Sequence, residues 1–170
     1  MVPTLETPRL RLRAYVPTDR AQFVATYTDP EVMVHVDGAL SAESAGALFD
    51  GVYDGSRARV FGAWCVEHDG ETVGHGALLR EGETLGVGYI LPRRSWGHGY
   101  ATEIARAITQ YALHTLGRAR LTATVDVGNA SSCRVLQKIG MTLVKRVDDP
   151  EGAYFIYEAI AAQWTPDLGR

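Results

Sequence analysis

The chain has 170 residues, 46% of them hydrophobic and 22% charged, which is enough apolar material for one core and too little for a second full domain. A formal net charge of -3 supplies no global field for nucleic acid, so any anion site has to be built locally. Residues 1–170 are therefore expected to form a single domain.

The opening run MVPTLETPRLRLRAYV is charged too early for a signal peptide. No apolar run approaches the ~18 residues of a membrane span, and a soluble cytoplasmic protein is expected. From Leu10 to Tyr15 apolar residues alternate with Arg11 and Arg13, the pattern of a half-buried strand that Pro17 stops. Thr18 or Asp19 can cap a helix over RAQFVATY, and TDPE offers another start with Asp29 as cap and Pro30 at the first helical position. Ser41 opens a weaker helix, SAESAGALFDGVYDG, in which Gly46 and Gly51 each cost about 1 kcal/mol relative to alanine.

RVFGAWCVEHDGETVGHGALL reads as two strands joined at Asp69-Gly70, a dipeptide suited to the positive φ angles of a tight hairpin. A turn at EGE leads to a third strand, TLGVGYIL, which completes an antiparallel meander. After Gly99 the period becomes helical: Ile104, Ala105, Ile108, Tyr111 and Ala112 share one face, and Gly117 ends the element. ARLTATVDV is a further strand, NASSCRVLQKIG a short helix closed by Gly140, and MTLVKRV with AYFIYEAI a last hairpin across DDPEG. The order is one strand, two helices, three strands, a long helix, a strand, a short helix and two strands. Cys65 and Cys133 lack the spacing of a metal or redox motif and read as small buried hydrophobes.

The stretch RRSWGHGYATEIARAI sets Gly97 and Gly99 directly before the long helix. The first N-H groups of a helix have no partner inside it, and its dipole adds partial positive charge there, so an anion is stabilised. Glycines let a diphosphate approach the backbone, and Arg93, Arg94 and Arg106 against Glu103 make the stretch locally basic. A P-loop fails because no lysine follows either glycine. A dinucleotide fold fails because Thr102 stands at the third glycine position and the preceding strands are antiparallel. An acyl-coenzyme A loop is the remaining candidate.

Here the sequence resembles the GNAT superfamily of N-acetyltransferases, whose diphosphate loop reads Arg/Gln-x-x-Gly-x-Gly/Ala. WGHGYA matches it with Trp96, Gly99 and Ala101. ETPRLRLRAYVPTDRAQF, TDPEVMVHV, GYILPRRSWGHGYATE and NASSCRVLQKIGM follow the order of the Rim-type branch, which includes the ribosomal-protein N-terminal acetyltransferases. The likeness runs from Leu5 to about Glu158. It implies a mixed α+β fold: a central, mostly antiparallel, twisted sheet of six to seven strands with helices on both faces. The family's fourth and fifth strands, here TLGVGYIL and ARLTATVDV, are parallel and splay apart. The co-substrate implied is acetyl-CoA, with no metal. Its diphosphate would lie on the amides of Gly97, His98, Gly99, Tyr100, Ala101 and Thr102, beside Arg94 and Trp96. Its pantetheine arm would run along Tyr89, Ile90 and Leu91; Pro92 has no N-H to offer.

Asn129 and Ser132 match the branch's N-x-x-S, in which the asparagine binds the coenzyme arm and the serine is the thiolate's proton donor; by residue type alone they are ordinary helix caps. Two departures stand out. Trp96 replaces the usual Arg or Gln, and Leu136 stands where many members of the superfamily have a tyrosine that protonates the leaving thiolate. Gly86 occupies a position that is acidic in some Rim-type enzymes, so the base is open, with Asp126, His75, Glu67 and His35 as candidates by type. An α-amine is roughly a tenth neutral at pH 7, a lysine only about four parts in ten thousand. A protein without an obvious base therefore suits a protein N-terminal amine better than lysine. Polyamines, amino acids and antibiotics stay open as acceptors, as does a noncatalytic acyl-CoA-binding module. No nucleic acid or membrane partner is expected, and the protein is a monomer or homodimer.

Overall fold

The computed structural model describes residues 2–165. One sheet organises them, with strands β1 (Leu5–Glu6), β2 (Arg11–Arg13), β3 (Val60–His68), β4 (Glu71–Glu81), β5 (Thr84–Ile90), β6 (Arg120–Asp126), β7 (Thr142–Asp149) and β8 (Gly152–Ile160). Their spatial order is β1-β2-β3-β4-β5-β6-β8-β7, and every neighbouring pair is antiparallel except β5 and β6. The sheet thus has eight strands where six to seven are expected. The additional one, Leu5–Glu6, pairs with Leu12 and Arg11 but is too short to show a two-residue period.

Three helices precede β3 instead of two: α1 (Arg20–Tyr27), α2 (Pro30–Met33) and α3 (Ala42–Tyr53). The Asp29-Pro30 start makes the difference, because Asp29 accepts the Glu31 N-H and opens a one-turn helix. Ser41 caps α3 through the Ser44 N-H. The expected cap of α1 does not form. Asp19 instead takes both Nη atoms of Arg13, at 2.7 and 2.9 Å, and the Val16 N-H at 2.8 Å. A charged partner outbids a cap whose N-H groups can reach water.

Asp69 and Gly70 both have positive φ, 51° and 82°, and close the β3-β4 hairpin. Helix α4 (Tyr100–Gln110) continues through a π-helical turn over Tyr111–Thr115, and α5 (Ala130–Lys138) follows β6. Among the described residues no helix is long and apolar enough to cross a membrane.

Strand alternation divides the core between the two faces. On β3, Trp64 and Val66 join Ile104, Ala105 and Ile108 of α4 in the larger cluster. Cys65, between them, joins Tyr15, Phe23 and Phe49 under α1 and α3. Ile104 and Ile108 are fully buried, and each contributes roughly 1.5–3 kcal/mol to holding α4 against the sheet. That packing fixes where the mouth of α4 points.

Candidate active site

Strands β5 and β6 meet at one parallel pair, Gly86 with Thr122. On its other side β5 stays zipped to β4 as far as Ile90, opposite His75. Beyond Gly86 the β6-facing edge of β5 therefore carries main-chain polar groups without strand partners, which have to find them elsewhere. A cleft of about 770 Å³ fills the gap, with Gly88, Tyr89 and Ile90 on one wall and Thr124, Asp126 and Asn129 on the other. Ser132 and Leu136 also line it.

The glycine loop follows directly from the open end of β5. Gly97 and Gly99 hold φ of 79° and 80°, the left-handed region that glycine enters without strain. Gly99 is the N-cap of α4 with no side-chain cap, and the first helical bond runs from Glu103 N-H to the Gly99 carbonyl at 3.3 Å. The amides of Gly99, Tyr100, Ala101 and Thr102 have no acceptor among the described residues. A Cβ at Gly97 would meet nothing within 4 Å, so the loop surface is open.

The charge at this mouth comes from a residue that the sequence reading missed. Arg9 donates from Nη1 to the His98 carbonyl at 3.0 Å and from Nε to Glu103 at 2.8 Å, and its guanidinium lies over the Tyr100 ring. Burial pushes the Glu103 carboxyl up, but bonds from Thr7 and Arg9 outweigh it and hold the group below its usual range. The arginines of the loop turn elsewhere. Arg93 pairs with Asp29 and Glu31 of the α2 segment, and Arg94 donates to the Thr72 carbonyl. Trp96, about half exposed, spends its indole N-H on the Leu91 carbonyl at 2.9 Å. No local signal marked Arg9, since its partners lie some ninety positions away.

Asn129 caps α5 by accepting the Ser132 N-H at 3.0 Å and the Ser131 hydroxyl at 2.9 Å. Ser132 Oγ lies 2.7 Å from the Tyr89 hydroxyl, a contact that spans the opening between β5 and α5. Burial pushes the Tyr89 phenol up to about 12, against a smaller lowering from Ser132. Leu136 is fully buried, so α5 offers no phenol there; the phenol beside Ser132 is supplied by β5.

The four candidate bases separate. Glu67 pairs with Arg13 away from the cleft. His35 and Asp126 meet at its rim, Nδ1 to Oδ1 at 2.9 Å. His75 lies inside, 3% exposed among Tyr15, Phe23 and Tyr27, with Nδ1 2.9 Å from the Tyr15 hydroxyl and Nε2 without a partner. Burial pushes the Tyr15 phenol well up, so it stays protonated and donates to Nδ1, which leaves the ring proton on Nε2.

Burial also drives the His75 imidazole down to about 4. The unfolded chain, with an ordinary value near 6.5, then binds a proton that the folded chain refuses, so this stabilisation is complete above pH ~6.5 and lost as pH falls towards about 4. Between pH 7 and 4 the wild type is expected to lose about 3 kcal/mol more stability than His75→Gln, measured by urea unfolding. Parallel curves for the two proteins would show that His75 takes up its proton in the folded state. Among the described residues no group of three or more His, Cys, Asp or Glu side chains is placed to hold a metal ion.

A sheet opened at one parallel pair, beside a helix mouth with bare amides, is the arrangement expected above for an acyl-coenzyme A transferase. A family model described as an acetyltransferase (GNAT) domain matches residues 9–142. The chain is 30% identical over 161 residues to the uncharacterized protein YkkB of Bacillus subtilis strain 168, covering 91% of this chain and 94% of that one. An acetyltransferase of the GNAT family from Bacillus anthracis superimposes with a TM-score of 0.83 at 20% identity, covering 94% and 99% of the two chains. RimL, a ribosomal-protein α-N-acetyltransferase solved with coenzyme A, gives 0.79 at 17% identity, covering 93% and 98%. The chain belongs to the GNAT acetyltransferases and is an acetyl-transferring enzyme.

Proposed function

We propose that residues 1–170 form one N-acetyltransferase domain of the Rim-type branch, which moves an acetyl group from acetyl-CoA to the free α-amine of a protein N-terminus. The observation that carries this reading is the run of unpartnered amides from Gly99 to Thr102 at the open end of an edge of β5 that β6 has left. The two are continuous along the chain, and together they fit a linear ligand with a diphosphate at one end.

Acetyl-CoA supplies the thioester; the chain supplies binding and proton transfer. Backbone groups of Tyr89 and Ile90 hold the arm, and the amides of Gly97 to Thr102 hold the diphosphate, with Arg9 adding positive charge behind them. Asn129 keeps Ser132 in place through the α5 cap. Ser132 Oγ gives its proton to the departing thiolate and takes another from Tyr89 at 2.7 Å, and the proton that the amine nitrogen sheds as the amide forms returns through water to the Tyr89 oxygen.

The acceptor follows from what does not touch this pair. No imidazole or carboxylate among the described residues bonds to Tyr89 or Ser132. An amine that arrives neutral is favoured, and between an α-amine and a lysine the neutral fractions differ by about 3 kcal/mol at pH 7. The test offers acetyl-CoA with a hexapeptide bearing a free N-terminal serine, an N-terminally blocked hexapeptide with one lysine, or spermidine, and follows free thiol and product mass. Fastest turnover on the free N-terminus is expected. Faster turnover on the blocked lysine peptide or on spermidine would replace the protein acceptor by a side-chain or small-molecule amine.

A further inference from the structure

A carboxylate taken out of water needs a cation, and this chain supplies one at nearly every buried or half-buried acid. Arg13 serves Asp19 and Glu67, Arg93 serves Asp29, and Arg9 serves Glu103. Arg120 serves Glu158, and Asp126 has the His35 ring nitrogen Nδ1 2.9 Å from its Oδ1. Glu81 is the exception among the described residues. It is half-buried at the end of β4 and lines the cleft, yet it forms no ion pair. Arg57 and Arg59 line the same cleft, and neither forms an ion pair with it among the described residues. Its Oε2 accepts the Thr122 hydroxyl at 2.8 Å, and Oε1 has no hydrogen-bond donor.

Its position is as specific as its lack of a partner. A Cβ built on Gly86 would lie 2.5 Å from the Glu81 carboxyl carbon and 2.6 Å from Oε1. The carboxylate therefore occupies the place that a side chain at position 86 would take, at the apex where β5 and β6 part, and Thr122 of β6 ties it there. Strands rise ~3.3 Å per residue, so Gly86 lies about 10 Å along β5 from Tyr89, where the proposed reaction takes place. That is too far for a direct proton transfer from the attacking amine, and it suits a second positive group on the same acceptor.

We propose that Glu81 is the specificity residue of the acceptor cleft: it binds a second cationic group of an acceptor whose first amine is acetylated near Tyr89. The inference rests on the transferase reading above and narrows its acceptor to a dication, such as an N-terminus followed at short range by a basic residue. Oε1 takes the charge-assisted hydrogen bond, while Thr122 holds Oε2 and fixes the carboxylate plane.

The test compares two hexapeptides with a free N-terminal serine, one with arginine and the other with leucine at the third position, on wild type, Glu81→Gln, and the double variant Glu81→Ala with Gly86→Glu. Wild type should favour the arginine peptide about 10- to 100-fold in kcat/KM. Glu81→Gln should abolish the preference, bringing kcat/KM for the arginine peptide down to that for the leucine peptide. The double variant should restore the preference, because it returns a carboxylate to the same corner of the cleft, two bonds beyond a Cβ that takes the place of the present one, and the Gly86 backbone is outside the left-handed region. Restoration would exclude a merely structural role for Glu81. Equal rates on the two peptides in wild type, or a preference that survives Glu81→Gln, would overturn the inference alone. If neither peptide is acetylated, the N-terminal reading falls; the comparison then passes to 1,8-diaminooctane against 1-aminooctane, where the same loss and recovery of the diamine preference decides for or against Glu81.

Discussion

Ser132→Ala is expected to lower kcat by about 100-fold or more while leaving the KM for acetyl-CoA within a few-fold of wild type. A thiol near pKa 8.5 is a tolerable leaving group, so the step is slowed and not abolished when its proton source is removed. The substitution isolates this role well. The α5 cap uses the main-chain N-H of Ser132, which an alanine retains, so Asn129 keeps its bond and the melting temperature should barely move. Tyr89→Phe should cost less, about tenfold, because it removes the group that resupplies Ser132 and leaves the donor itself in place. With the phenol pushed up to about 12, the pair stays protonated across the working range, and the wild-type profile should show no fall in kcat from this source below pH ~10. A kcat within threefold of wild type in Ser132→Ala would mean that the proton comes from another group or from water.

Local chemistry was legible in the sequence wherever a feature is completed within a few residues. The Asp69-Gly70 hairpin, the buried face of α4 and the left-handed glycines before it all depend on neighbours in the chain, and each stands where the pattern places it. The opening between β5 and β6 was reached only through family resemblance, since neither strand signals from its own residues that their pairing stops after Gly86. The site's decisive contacts are long-range. Arg9 meets Glu103 across 94 positions, Tyr89 meets Ser132 across 43, and Glu81 meets Thr122 across 41. Each depends on sheet register, which a periodicity argument fixes only modulo two. The same limit explains Arg93, whose type suits an anion site but whose partner Asp29 lies 64 positions away.

Gly99→Val is expected to raise the Kd for acetyl-CoA about 1000-fold, measured by calorimetry. Two costs combine. At φ of 80° and ψ of 3° a β-branched residue sits in a region that costs about 1–3 kcal/mol, so the loop relaxes away from the conformation that aims its amides outward. Each charge-assisted hydrogen bond from those amides to phosphate that is then lost costs about 1.5–3 kcal/mol more. The new Cβ would also lie 3.4 Å from Arg9 Nη2, in ordinary contact, so that the methyl groups beyond it crowd the guanidinium that bonds the His98 carbonyl and Glu103. Gly97→Val separates these causes, since φ there is 79° but a Cβ meets nothing within 4 Å. It should weaken binding through strain alone, and therefore less than the change at Gly99. If the valine at Gly99 bound acetyl-CoA as tightly as the wild type, the diphosphate would have to rest somewhere other than the mouth of α4.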